Sequence, residues 1–235
     1  MPRYYQPVST FTITSTTVCD FGSPGNFTWT VPTGQCWVTF EIWGAGGGGG
    51  AKCCCECYHG GPGAASGGYA MQQLAVTPGA QYSICVGYGG MVPSVGSCTL
   101  HWCCYGGDGT TTYITGTGLS NFCATGGSGG HNDCYYYCGC TKPPGMGYGG
   151  IVNNCGSPGY GGHSTESCSN HIAYGGSTAA GGGNYTTPDH CCRSCMIACA
   201  GGWPGGGGGT VAGSHTNCCC AQAGTGANGL VRIHY

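Results

Sequence analysis

The chain has 235 residues with 53 Gly, 12 Pro and 23 Cys, but only 5 Lys+Arg and 7 Asp+Glu, for a net charge of -2. Five basic residues cannot supply the phosphate contacts on which nucleic-acid binding runs, and no window approaches the roughly 20 apolar residues of a membrane-spanning helix. Glycine and proline at this level ordinarily mark disorder, yet 16 Tyr, 5 Trp and 5 Phe with so little charge argue for an ordered chain.

The opening segment, "MPRYYQPVSTFTITSTTVCDF", lacks the apolar core of a secretory signal, so synthesis and retention in the cytosol are expected. Residues 1–26 read either as a docking arm or as one more edge strand. From there, period-two alternation marks half-buried strands. In "FTWTV" Phe27, Trp29 and Val31 share a face, and in "WVTFEIW" Val38, Phe40 and Ile42 oppose Trp37, Thr39, Glu41 and Trp43. The same period runs through "YAMQQLAV" (Leu74, Val76), "QYSICVG" (Tyr82, Ile84, Val86), "TTTYIT" and the closing "LVRIHY" (Val231, Ile233, Tyr235). Pro32 with Gly34 and Pro78 with Gly79 supply turn chemistry between strands. Nearly every window is broken by glycine, so no helix is expected.

Glycine runs at 46–50, 60–68, 126–130, 145–150, 156–162, 181–183, 205–209 and 224–229 separate and follow the strands. They lack a strict Gly-X-Y period, which argues against collagen. Either they are flexible loops, or they are extended helices of about three residues per turn that pack side by side through backbone hydrogen bonds. The second alternative predicts an all-β fold: a small antiparallel β-sandwich with a bundle of polyglycine-II-like segments, long cysteine-rich loops and essentially no helix. It divides into the arm at 1–26, a β-rich part at 27–125 and a bundle at 126–235 closing on strand 230–235, all in one compact unit.

The cysteines cluster between glycine runs: Cys53, Cys54, Cys55 and Cys57; Cys98, Cys103 and Cys104; Cys134, Cys138 and Cys140; Cys191, Cys192, Cys195 and Cys199; Cys218, Cys219 and Cys220. If the runs are rods, the clusters fall at the rod ends. Disulfides there would offset a weak side-chain core at roughly 2 to 4 kcal/mol each. A zinc or iron-sulfur site is the competing reading, drawing on His131/Cys134 and His215/Cys218 at HxxC spacing; free buried thiols are the third. No GxSxG, HExxH or paired-carboxylate motif is present, so no catalytic residue is assigned, no enzyme is expected, and no cofactor is required. Contact candidates are the aromatics of loop segments: Tyr135, Tyr136 and Tyr137 in "CYYYC", with Trp102 and Tyr105, and with Tyr185 and Trp203 in similar places. For Trp203, packing over the glycine rods is an equally good expectation.

The order of segments resembles the glycine-rich domain of bacteriophage tail-fibre and tail-tip proteins. The likeness is carried by "FTWTVPTGQCWVTFEIWGAGGGGG" at 27–50, "GGPGAASGGYAMQQLAVTPGAQYSICVGYGG" at 60–90, "GGDGTTTYITGTG" at 106–118, "CATGGSGG" at 123–130 and "GTGANGLVRIHY" at 224–235. The resemblance implies stacked polyglycine helices with variable loops that touch the host surface. The cysteine clusters and the lack of a long shaft depart from that pattern. With the shaft missing, the expectation is a small separate virion component: a tail-fibre tip adhesin, a knob or a capsid decoration. Its partners would be other virion proteins, copies of itself, with a trimer plausible, and a host surface receptor. Assembly in a reducing cytoplasm followed by release into an oxidising medium reconciles the missing signal with the cysteine density. A metal-binding protein and a cell-surface adhesin are the alternatives.

Overall fold

The computed structural model describes residues 17–53, 63–92, 103–130, 142–160, 171–173, 175–178, 195–213 and 220–235. Among these there is no helix; the ordered elements are sixteen strands and the glycine segments between them. In chain order the strands are β1 (Val18–Phe21), β2 (Gly25–Thr30), β3 (Trp37–Trp43), β4 (Ala51–Cys53), β5 (Tyr69–Ala75), β6 (Gln81–Val86), β7 (Cys103–Cys104) and β8 (Thr112–Thr115). They continue with β9 (Cys123–Ala124), β10 (Gly147–Tyr148), β11 (Val152–Asn154), β12 (His171–Ala173), β13 (Cys195–Ile197), β14 (Thr210–Gly213), β15 (Cys220–Gln222) and β16 (Leu230–His234).

Two antiparallel five-stranded sheets face each other. Sheet A has the order β1-β16-β3-β5-β11, and sheet B the order β10-β9-β8-β6-β2. Alternation decides which side chains meet between them. Val38, Phe40 and Ile42 of β3, Val231 and Ile233 of β16, Tyr82, Ile84 and Val86 of β6, Ile114 of β8 and Trp29 of β2 form one buried cluster. Phe40 sits edge-on to Trp29 and 5.0 Å from the Tyr82 ring, and the Tyr82 hydroxyl donates to the Thr117 carbonyl at 3.0 Å. Burying each such side chain contributes about 1.5 to 3 kcal/mol, so this cluster is the side-chain core of the molecule. The opposite face of β3 is not simply solvated. Trp37 is exposed as expected, but Thr39 and Trp43 are buried, and Trp43 packs with Tyr69, Met71 and Leu230 in a second cluster.

The sandwich does not belong to the N-terminal half alone. Sheet A takes β11 and β16 from beyond residue 125, and sheet B takes β10. The turn chemistry is as expected in kind. Ala80 donates to the Thr77 carbonyl across Pro78-Gly79, and Gln35 donates to the Pro32 carbonyl across Thr33-Gly34, with Gly79 at φ 82° and Gly34 at φ 84°. Pro32 therefore starts its turn, one position earlier than the corner that Pro78 occupies.

The glycine segments form a bundle of extended rods joined laterally through their backbones. In the rod at 44–50, Gly44 and Gly47 donate to Gly68 and Ala65, Ala45 and Gly48 to Thr110 and Gly107, and Gly46 and Gly49 to Ala227 and Gly224, over 2.8 to 3.2 Å. Its carbonyls accept from Gly127 and Gly130, from Gly90 and from Gly208. Donors repeating every third residue toward three different neighbours are what a helix of three residues per turn imposes. With three further neighbours donating back, this rod is surrounded on six sides. The segment 63–68 is placed the same way. It donates to 205–208, 125–128 and 157–160 and accepts from 44–47, Gly145 and Gly176. Here the sequence carries Ala64, Ala65 and Ser66, all fully buried. Ser66 turns its hydroxyl into the lattice, donating to Ser177 O and accepting from Ser157 N, each at 2.8 Å.

Candidate functional site

The chain leaves the sandwich along the rods and reaches short strands at the opposite end. The rod at 44–50 runs directly from β3 to β4, 205–209 runs into β14, and β7, β12, β13 and β15 precede the rods at 106–110, 175–178, 198–202 and 224–229. The far-end strands pair with one another. The order β12-β14-β4-β7 makes a four-stranded sheet, and β13 pairs with β15. The backbone register sets Cys195 opposite Cys220 in that parallel pair, Cys53 opposite Gly213, Cys104 opposite Ala51, Cys103 opposite Lys52 and His171 opposite Ala212. Cysteine-bearing positions from four separate stretches of sequence thus meet at one end of the bundle.

Of the sequence-derived candidates, Cys54, Cys55, Cys57, Cys98, Trp102, His131, Cys134, Tyr135, Tyr136, Tyr137, Cys138, Cys140, Tyr185, Cys191, Cys192, His215, Cys218 and Cys219 lie outside the described residues. The described flanks of all but Tyr185, Cys191 and Cys192 are informative. Residues 53 and 63, 92 and 103, 130 and 142, 160 and 171, and 213 and 220 all stand at the far end, which the rod hydrogen bonds identify by its distance from β3 and β16. Tyr105 is half-exposed where β7 passes into its rod. Trp203 is half-exposed at the sandwich end and lies against Gly22, in the link between β1 and β2, where a Cβ would stand 2.9 Å from its ring. Among the described residues, no group of three or more His, Cys, Asp and Glu is placed to hold a metal ion.

The remaining thiols do not gather. Cys19, Cys36, Cys85, Cys123 and Cys155 are free and spread over the sandwich strands and their margins. Burial, then the neighbouring Asp20 charge, pushes the Cys19 thiol up, and burial does the same to Cys123, so neither is disposed to act as a thiolate nucleophile.

Sequence reading missed an ionisable grouping on the outer face of sheet A. Glu41 accepts from the Tyr69 hydroxyl at 2.6 Å on one oxygen and meets His234 Nε2 at 2.6 Å on the other. Burial, followed by the hydrogen bond to Glu41, raises the Tyr69 phenol far above its ordinary range, so it remains a donor. The trio ties β16, β3 and β5 together. The one acidic residue in the alternating strand β3 was the available signal.

A family model described as a glycine-rich domain matches residues 22–235. No curated protein matches the chain. No helix among the described residues is long and apolar enough to cross a membrane.

Proposed function

This chain belongs to the glycine-rich domain family, and from that premise we propose that it is a non-enzymatic structural protein of a bacteriophage particle. It acts as a tail-fibre tip adhesin, knob or capsid decoration whose cysteine-rich loops are presented from one end of a rigid backbone bundle and stapled there. The observation that supports this reading is the placement of five loop origins and the Cys195–Cys220 register together at the end remote from the sandwich. A bundle held by lateral backbone bonds fixes loop ends without using side chains, which leaves loop sequence free to serve contact. Partners in this reading are copies of the chain, other virion proteins and a host surface receptor met by Tyr135–Tyr137, Trp102 and Tyr105.

An antibody against the chain should label gradient-purified particles released by lysis. Replacing Tyr135, Tyr136 and Tyr137 by serine, with Cys134, Cys138 and Cys140 kept, should leave the melting temperature within about 3 °C while abolishing attachment to host cells. A chain that stays in the soluble pool and never sediments with particles overturns the virion reading. Attachment unaffected by the replacement overturns the role given to the loop. The second reading, a zinc or iron-sulfur protein, draws on the same convergence of cysteines; stoichiometric metal in protein purified without chelator would favour it. Attachment of the chain to the surface of the cell that makes it would favour a cellular adhesin.

A further inference from the structure

The outer face of sheet B carries no charged side chain. Alternation brings Asn26, Thr28 and Thr30 of β2, Gln81, Ser83 and Cys85 of β6, and Tyr113 and Thr115 of β8 to the same side, opposite the buried Trp29, Tyr82, Ile84 and Ile114. The register aligns them in rows: Asn26 beside Cys85 beside Tyr113, and Thr28 beside Ser83 beside Thr115. Between the rows lies an open cleft of about 270 Å³ lined by Asn26, Phe27, Thr28, Ser83, Ile84, Cys85 and Tyr113. Tyr113 is 41% exposed. The neighbouring Cys85 side chain raises its pKa, so the phenol stays neutral. No side-chain hydrogen bond is made by Asn26, Thr28 or Ser83 among the described residues.

We propose that this cleft binds a neutral glycan, with one sugar ring seated on Tyr113 and its hydroxyls taken by Asn26, Thr28 and Ser83. A sugar presents a face of C–H bonds and an edge of hydroxyls. The electron-rich face of an aromatic ring meets the first, and groups that both donate and accept meet the second. The cleft offers both within adjacent strands about 4.8 Å apart. An anionic ligand would find no counter-charge there, and an apolar one would strand the amide and hydroxyls. This site lies on the sandwich, away from the loop-bearing end, so it stands or fails independently of the reading given above.

The full chain is titrated by calorimetry and saturation-transfer NMR with maltohexaose, cellohexaose and mannohexaose, with a heparin hexasaccharide as anionic control. At least one neutral probe should bind and heparin should not. Tyr113→Ala should weaken binding at least tenfold at unchanged melting temperature, Tyr113→Phe should stay within threefold, and Asn26→Ala and Ser83→Ala should each weaken it severalfold. Replacing Tyr135, Tyr136 and Tyr137 by serine should leave it unchanged. The proposal is overturned if no neutral probe binds at about 10 mM, if heparin is preferred, or if Tyr113→Ala and Asn26→Ala bind as the parent does. Both of those positions are exposed, so each variant keeps the test alive should the other fold poorly.

Discussion

Glycine does two unlike jobs in this chain, and substitution separates them. At Gly208 a Cβ would stand 1.9 Å from the Gly224 carbonyl oxygen, and at Gly49 it would stand 1.9 Å from that of Gly209. No side chain can move aside there, because both partners are backbone. At Gly34 nothing lies within 4 Å, but φ is +84°, a conformation that costs an L-residue roughly 1 to 2 kcal/mol. Gly208→Ala should therefore destabilise by about 3 kcal/mol or more, and Gly34→Ala by about 1 kcal/mol, read as shifts in urea midpoint. Equal effects at the two sites would mean that 205–209 is not a packed rod. The thiols offer a parallel test. Cys36 and Cys155 are exposed, whereas burial raises Cys19 and Cys123. At pH 8 iodoacetamide should modify Cys36 and Cys155 before Cys19 and Cys123 in the folded protein, as peptide mapping over time would record; early modification of Cys19 would contradict the β1–β16 packing.

Strand β16 lies between β1 and β3, so its loss removes the partner of β1 and one of the two partners of β3. Leu230, Val231 and Ile233 are essentially fully buried, and deletion of 230–235 should abolish folding; a soluble truncate with native circular dichroism would refute this. The β1 edge is clipped by a bidentate Arg232–Asp20 pair at 2.8 Å. The hydrogen bond from Arg232 holds the Asp20 carboxyl below its ordinary value. A depressed carboxylate contributes stability above its unfolded pKa of about 3.9, and the contribution fades as pH falls through the lower folded value. Because the pair is more than a third exposed, Asp20→Asn should cost under about 1 kcal/mol at pH 7, with the difference closing as pH falls through the depressed folded value. Strands of this kind were legible in the sequence, since Val38, Phe40 and Ile42 announce their face by period two alone. The far-end strands were not. Ala51–Cys53 and Cys220–Gln222 are three residues long, too short for a period to register. Nor was the order of rods around 44–50 legible, because glycine has no side chain with which to specify a neighbour, and the choice is made by the strands and turns that start and stop each rod.

At the scale of the whole molecule, two different kinds of cohesion are stacked end to end: a side-chain core between sheets A and B, and a hydrogen-bonded lattice of backbone beyond it. Neither requires a thiol. The cysteines placed by register at the far end act, on the reading proposed here, on the loops rather than on the rods. Oxidised protein should then weigh about 2 Da less per bridge than reduced protein. Each bridge lost should lower stability by about 2 to 4 kcal/mol at most, with strand content by circular dichroism retained at moderate temperature. Limited proteolysis after reduction should cut first at Tyr135–Tyr137, while 37–50 and 224–235 stay intact, because opening those segments breaks both the core and the central rod. Collapse of the β signal on mild reduction would place the bridges inside the fold itself. If the mass does not change on reduction, but a chelator lowers the melting temperature, the far-end cysteines hold metal, and the lattice is the scaffold of a metal site instead of the mount for contact loops.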